Sequence, residues 1–149
     1  FGQEVARYVD RHYRLNLFPK NFDGMQLILS RYIENDLESV GLKVNDAYVI
    51  PTRPLLERTM LIRHKERKFG RGCVWEWTSH QRYLCAQFAE PLKPIDDMLA
   101  ASPFLQTDRP LFVDYSLCGV LSSYLFNGKT KLPNLKHLRH WHLAMNTGN

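Results

Sequence analysis

The sequence predicts an all-α fold, a bundle of about six helices in a single domain. Apolar residues recur at spacings of three and four along most of the chain, which is the pattern of helices that bury one face. Prolines and glycines separate these stretches, as they do between helices. An alternating pattern that would mark a strand is limited to a doubtful segment at 47–50. With 149 residues, of which 44% are hydrophobic, the chain suits one domain with its own core.

The first half of the chain predicts three helices. The first is short and carries Val5, Tyr8 and Val9 at helical spacing before a polar linker. The second is longer and has an apolar stripe with a polar face beside it. The third follows Pro54, a residue suited to the first helical position, and ends at Gly70. The predicted ranges are 3–13, 22–44 and 55–69.

The second half begins with a turn at Gly70 and Gly72, after which the apolar pattern restarts at 74–77. A longer apolar stretch then contains Pro91 and Pro94. Because each proline lacks a backbone donor and clashes with the preceding turn, this stretch should form either one kinked helix or two abutting helices. The last two helices are predicted over 113–126 and 133–145.

The spacing of the cysteines and the length of the apolar segments indicate where in the cell the protein is located. The three cysteines, Cys73, Cys85 and Cys118, have no CxxC spacing, which favours free thiols in a reducing environment. No stretch of about 18 apolar residues is present, so neither a membrane span nor a membrane partner is predicted. The first residues are amphipathic and do not resemble a signal peptide. The expected location is therefore the cytoplasm.

The charged and histidine-rich segments favour neither nucleic acid nor metal. The formal net charge is +5, and much of the excess lies in RHKERKFGR at 63–71. Such a run is more typical of a solvated helix face, so no nucleic-acid partner is predicted. Of His137, His140 and His142, only the first two share a helical face, and no cysteine or acidic residue is close in sequence. No metal site is predicted there.

Four stretches, taken in order, resemble segments of the glutathione transferase superfamily. VARYVDRHYRLNLFP is similar to the last helix of that family's thioredoxin-like domain and the linker after it. FAEPLKPIDDMLAASPFL resembles the family helix that ends as L-x-x-x-P-(F/Y)-L, and RPLFVDYSLCGVLSSYLF resembles its P-(S/T)-x-A-D helix start. LPNLKHLRHW matches the final P-x-L-x-x-W element. The resemblance implies the family's C-terminal all-helical domain at 20–149, preceded at 1–19 by a remnant of the thioredoxin-like domain and the linker.

The best-defined motif of the resemblance is a helix start. In the family a Ser or Thr hydroxyl and an Asp three residues later exchange hydrogen bonds in a capping box. Here Leu111 occupies the hydroxyl position and has no acceptor, a loss worth about 1 kcal/mol. Asp114 can still accept the N–H of residue 111 and stabilise the helix N-terminus electrostatically. The resemblance therefore gives Asp114 a structural capping role.

The resemblance also implies an activity and a set of binding residues. The family conjugates glutathione to hydrophobic or aromatic electrophiles, and its thioredoxin-like half activates the glutathione thiol. Only a remnant of that half is expected here, so no catalytic residue is assigned and the chain alone should be inactive. The family's first long helix faces the glutathione site, so the candidate electrophile-binding residues are Tyr32, Asn35, Asp36 and Ser39. An alternative of equal weight is that these four residues make ordinary contacts at an interdomain or dimer interface.

Two functions therefore stay open. In the first, the parent protein is a homodimeric transferase that uses glutathione as co-substrate, and this chain packs on a thioredoxin-like domain and binds a small hydrophobic electrophile. In the second, the chain is a non-catalytic transferase-like domain that docks protein partners through helix faces. The sequence encoded upstream of Phe1 discriminates between them, because a thioredoxin-like segment there would support the enzyme.

Overall fold

A computed structural model describes residues 2–147, and these form a bundle of α-helices without a strand. The all-helical bundle predicted from the sequence is confirmed, and segment 47–50 is helical rather than extended. Short 3-10 helices lie at Lys20–Phe22 and Ile50–Thr52, and a π-helix lies at Ile33–Glu38. The α-helices are α1 (Gln3–Tyr13), α2 (Asp23–Tyr32), α3 (Ser39–Val49), α4 (Leu55–Phe69), α5 (Cys73–Ser79), α6 (Gln81–Ala89), α7 (Leu92–Ala101), α8 (Phe112–Leu125) and α9 (Lys136–Thr147).

The centre of the bundle is the continuous helical run formed by α2, the π-helix and α3. It extends five residues beyond the predicted range of 22–44, to Val49. Its α3 part packs on α5, α6 and α8, while α7 packs on α9. One side of the run is buried because apolar residues recur there at spacings of three and four. These residues are Leu29, Ile33, Leu37, Val40, Val44 and Ala47.

The two prolines of the α6–α7 stretch produce two abutting helices rather than one kinked helix. Helix α6 ends at Ala89 and α7 begins at Leu92. Pro94 is then the third residue of α7, within the first turn, where a backbone N–H has no partner inside the helix. The missing donor of Pro94 therefore costs no intrahelical hydrogen bond.

A close approach between α3 and α6 depends on a glycine. A Cβ atom at Gly41 would lie 3.1 Å from Cε2 of Phe88, tighter than ordinary van der Waals contact. The Phe88 ring is fully buried and stacks on the ring of Tyr124 from α8, with 3.9 Å between the centroids. Gly41 thus lets three helices meet around one aromatic pair.

Helix α1, like α4, contains no buried residue. The side chains of Val5 and Tyr8 are 50% and 63% exposed, so much of the apolar face of this helix is uncovered. The helix is held mainly by polar contacts. Nη2 of Arg7 lies 2.6 Å from Oδ1 of Asp23, and Oδ1 of Asp10 accepts the N–H of Leu17 at 2.8 Å.

Candidate functional site

A groove lies between α1, the α2–α3 run and α8. Its volume is about 560 Å³. Most of the lining is apolar or small, and α8 contributes three side chains with a hydroxyl group. The lining residues are Ala6, Val9, Leu17, Glu34, Glu38, Gly41, Leu42, Phe112, Tyr115, Ser116, Gly119, Val120 and Ser123. A surface of this size and composition suits an apolar molecule or side-chain cluster.

Gly119 of α8 lines the groove, so the wall has no side chain at that position. A Cβ atom at Gly119 would meet no heavy atom within 4 Å. Leu42, on the facing helix α3, is left 40% exposed to the groove. Leaving a large aliphatic side chain in water is unfavourable, so an apolar occupant would gain free energy by covering it.

Two carboxylates form the acidic edge of the groove. Glu34 and Glu38 both belong to the π-helix, and both are exposed. Within residues 2–147 neither has a cationic nitrogen within ion-pair distance. A π-helix holds more residues per turn than an α-helix and occurs often at functional sites. The groove therefore combines an apolar interior with a negative edge.

A buried amide, that of Gln26, joins two segments that contribute residues to the groove. Gln26 is 1% exposed, and its Nε2 donates to the carbonyl oxygen of Leu17 at 2.9 Å. Its Oε1 accepts the N–H of Val113 at 3.1 Å. Both polar ends of this buried side chain are thus satisfied, as burial requires. Gln26 therefore ties the linker after α1 to α2 and to the start of α8.

The four residues predicted to bind an electrophile do not line this groove. The hydroxyl of Tyr32 donates to the carbonyl oxygen of Pro91 at 2.6 Å, and burial together with the nearby Asp36 raises the pKa of Tyr32. Oγ of Ser39 donates to the backbone carbonyl oxygen of Asn35 at 2.6 Å. Asn35, Asp36 and Ser39 are exposed. The side chain of Tyr32 therefore joins the central run to the α6–α7 junction, on a different side from Glu34 and Glu38.

Asp114 has the predicted capping bond and two further hydrogen bonds. Its Oδ2 accepts the N–H of Leu111 at 2.9 Å. Its Oδ1 accepts the N–H of Leu105 and the indole N–H of Trp141, each at 2.9 Å. The carboxyl is fully buried, and this burial raises its pKa although the three hydrogen bonds act in the opposite direction. Asp114 thus joins the start of α8, the preceding loop and α9, which is a structural role.

The histidines and cysteines singled out from the sequence do not form a metal site or an activated thiol within the described residues. In the part of the chain that is described, no group of three or more His, Cys, Asp or Glu is placed to hold a metal ion. The Cys73 thiol is buried, and burial raises its pKa, so the reactive thiolate is disfavoured. Between residues 2 and 147, no helix has both the length and the apolar character needed to cross a membrane.

Comparisons of the chain with models of protein families, with curated proteins and with solved structures found no match. The groove is the strongest candidate site, because it joins a large apolar cavity to unpaired carboxylates. The four residues singled out from the sequence belong to the same helical run but do not line the groove, and Glu34, Glu38 and Gly119 were not among them. The available signal was the lone glycine within the apolar pattern of α8, which marks an opening on that helix.

Proposed function

We propose that this chain is the helical, electrophile-side domain of a glutathione transferase. In this proposal the parent protein is a cytoplasmic homodimer that conjugates glutathione to hydrophobic or aromatic electrophiles. A thioredoxin-like domain binds glutathione and activates its thiol, and the helical domain supplies the apolar wall. The groove replaces the set Tyr32, Asn35, Asp36 and Ser39 as the surface that would receive the electrophile.

The observation that carries the proposal is the position of the apolar groove beside α1. By resemblance, α1 is the last helix of a thioredoxin-like domain, and Ala6 and Val9 of this helix line the groove. A substrate bound there would lie where the two domains of the parent meet. The exposed faces of Val5 and Tyr8 support the same arrangement, since a further domain would cover them.

A second function, a non-catalytic interaction domain, is favoured by the engagement of Tyr32. Its hydroxyl already donates to Pro91, so it is not free to contact a bound electrophile or the glutathione sulfur. In this alternative the groove receives an apolar segment of a protein partner. Both functions require the groove to bind apolar groups, and they differ in whether chemistry follows.

The first experiment tests the groove itself. N-phenyl-1-naphthylamine is a neutral apolar fluorophore, and the purified chain should bind it saturably with enhanced emission. Gly119→Phe should weaken this binding by about tenfold or more, because the new ring enters open space within the groove. Gly24→Phe is the matched control, since Gly24 is also helical and open but lies outside the groove. Equal binding by both variants would remove the groove from the proposal.

The second experiment separates the two functions. The protein encoded by the complete gene should conjugate glutathione to 1-chloro-2,4-dinitrobenzene, whereas the 149-residue chain should not. Gly119→Phe in the complete protein should raise KM for the electrophile more than KM for glutathione. A complete protein that binds the fluorophore but shows no conjugation with a panel of electrophiles would favour the interaction domain.

A further inference from the structure

Helix α4 presents an exposed stripe that the groove does not involve. The α4 stripe consists of Leu56, Met60, Arg63 and Arg67, which follow one another at spacings of four, three and four and so share one helical face. All four are exposed, with Leu56 at 75% and Met60 at 65%. Unlike an ordinary solvated face, half of this stripe is apolar.

The opposite side of α4 accounts for the attachment of the helix to the bundle. Leu61 and Ile62 pack against the core, and Nζ of Lys65 lies 2.8 Å from Oδ2 of Asp46 on α3. The stripe is therefore not needed to hold α4 in place. Within the described residues, neither Arg63 nor Arg67 has a carboxylate within ion-pair distance.

We propose that the α4 stripe docks an acidic amphipathic helix of a protein partner. The apolar half and the cationic half lie in series along the same face. A complementary helix needs leucine-like side chains over Leu56 and Met60, followed by carboxylates over Arg63 and Arg67. An antiparallel helix fits best, because its carboxylates then lie near its own N-terminus, where the helix dipole favours negative charge.

Other occupants match this pattern less well. An amphipathic helix on an anionic membrane has an apolar face along its whole length with cations on the polar side, rather than apolar and basic residues in series on one face. Nucleic acid would pair with the two guanidinium groups but leave Leu56 and Met60 uncovered. A second copy that used the same stripe would bring four guanidinium groups together if parallel, or place them on Leu56 and Met60 if antiparallel, and neither arrangement supplies a carboxylate.

The test uses a fluorescein-labelled helical peptide of 15 residues. Its first half carries two glutamates four residues apart, and its second half carries two leucines four residues apart. The second glutamate and the first leucine are three residues apart, so the four side chains share one helical face. Its binding to the full chain is measured by anisotropy. Arg63→Glu/Arg67→Glu should weaken binding by tenfold or more, and so should Leu56→Ser/Met60→Ser, because each removes one half of the match. Lys131→Glu/Lys136→Glu is the control, since it lowers the net charge equally at another exposed site and should leave affinity within about twofold.

Several outcomes would overturn the proposal. Equal losses in the stripe variant and the control variant would indicate nonspecific attraction. A peptide with glutamines in place of glutamates should bind at least tenfold more weakly, and unchanged affinity would exclude charge recognition.

Phosphatidylserine vesicles or single-stranded DNA that bind through the stripe while the peptide does not would assign the stripe to those ligands. A dimer in light scattering that Leu56→Ser/Met60→Ser dissociates would assign it to a second copy. Circular dichroism of each variant confirms that folding is retained.

Discussion

Helices α1 and α9 are similar in length, with 11 and 12 residues, yet they are held to the bundle in different ways. Helix α9 buries Leu138 and Trp141 almost completely, whereas α1 has no buried residue. Both sequences are amphipathic, so the pattern alone does not decide burial. The difference is the receiving surface: α9 lies on α7 and reaches Asp114, while much of the apolar face of α1 is left uncovered beside the groove.

We expect the largest difference in the free energy of unfolding between substitutions of one aromatic side chain in each helix, Trp141 in α9 and Tyr8 in α1. Trp141→Ala should lower the free energy of unfolding by about 3–5 kcal/mol, because it leaves a large cavity and removes one donor from Asp114. Tyr8→Ala should change it by no more than about 0.5 kcal/mol, since Tyr8 is 63% exposed. Urea denaturation of both variants measures the difference. A similar decrease in the free energy of unfolding for Trp141→Ala and Tyr8→Ala would show that α1 is packed as firmly as α9.

A second prediction concerns the buried carboxyl that receives α9. Asp114→Asn should cost about 1–3 kcal/mol, because the amide NH₂ would replace one of two accepting oxygens and leave a buried N–H unpaired. It should also change the pH dependence. Burial raises the folded-state pKa of Asp114 above its unfolded value, so the native state binds the proton more tightly.

The sign of the pH effect follows from that shift. The stabilising contribution of Asp114 protonation is fully present below the unfolded pKa of about 4, and it is lost as pH rises through the raised folded pKa. The free energy of unfolding of the wild type, minus that of Asp114→Asn, should therefore fall across this window. Denaturation curves at several pH values measure it, and a difference that rises with pH would contradict the direction assigned to the pKa.

The positions of the helices followed from the sequence because their ends carry local signals. Pro54 and Gly70 bound α4, Pro91 lies between α6 and α7, and Pro94 lies in the first turn of α7. The capping bond of Asp114 was also predictable, since it joins residues three apart. Its bond to Trp141 was not, because it depends on how α9 lies across the bundle.

The groove was less predictable for a physical reason. The π-helix at Ile33–Glu38 alters the angular spacing of side chains within a run that otherwise follows an α-helical period. Periodicity therefore identified a polar face but could not show that Glu34 and Glu38, rather than Asn35 and Asp36, would lie beside α8. Only the packing of separate helices determines which side chains face the groove.

A third and smaller change in stability is expected when the polar contacts that attach α9 and α1 to the bundle are removed. Oδ1 of Asp96 on α7 accepts the N–H of Leu138 in the first turn of α9, so Asp96→Ala should cost about 1 kcal/mol. Arg7→Ala removes the ion pair with Asp23, whose partners are both more than a third exposed, and should cost less than about 1 kcal/mol. Thermal unfolding of the two variants compares them, and a larger loss for Arg7→Ala would reverse the ranking.

Hydrogen exchange of α1 with and without a groove ligand measures how firmly this helix is held and whether the groove binds an apolar molecule. Without ligand, the amides of α1 should exchange much faster than those of α9, because α1 has no buried residue. Saturating N-phenyl-1-naphthylamine should slow exchange in α1 and α8 of the wild type and of Gly24→Phe, but not of Gly119→Phe. Protection of α1 equal to that of α9 before ligand is added, or no change in α1 on binding, would contradict a loosely held helix beside an apolar binding groove.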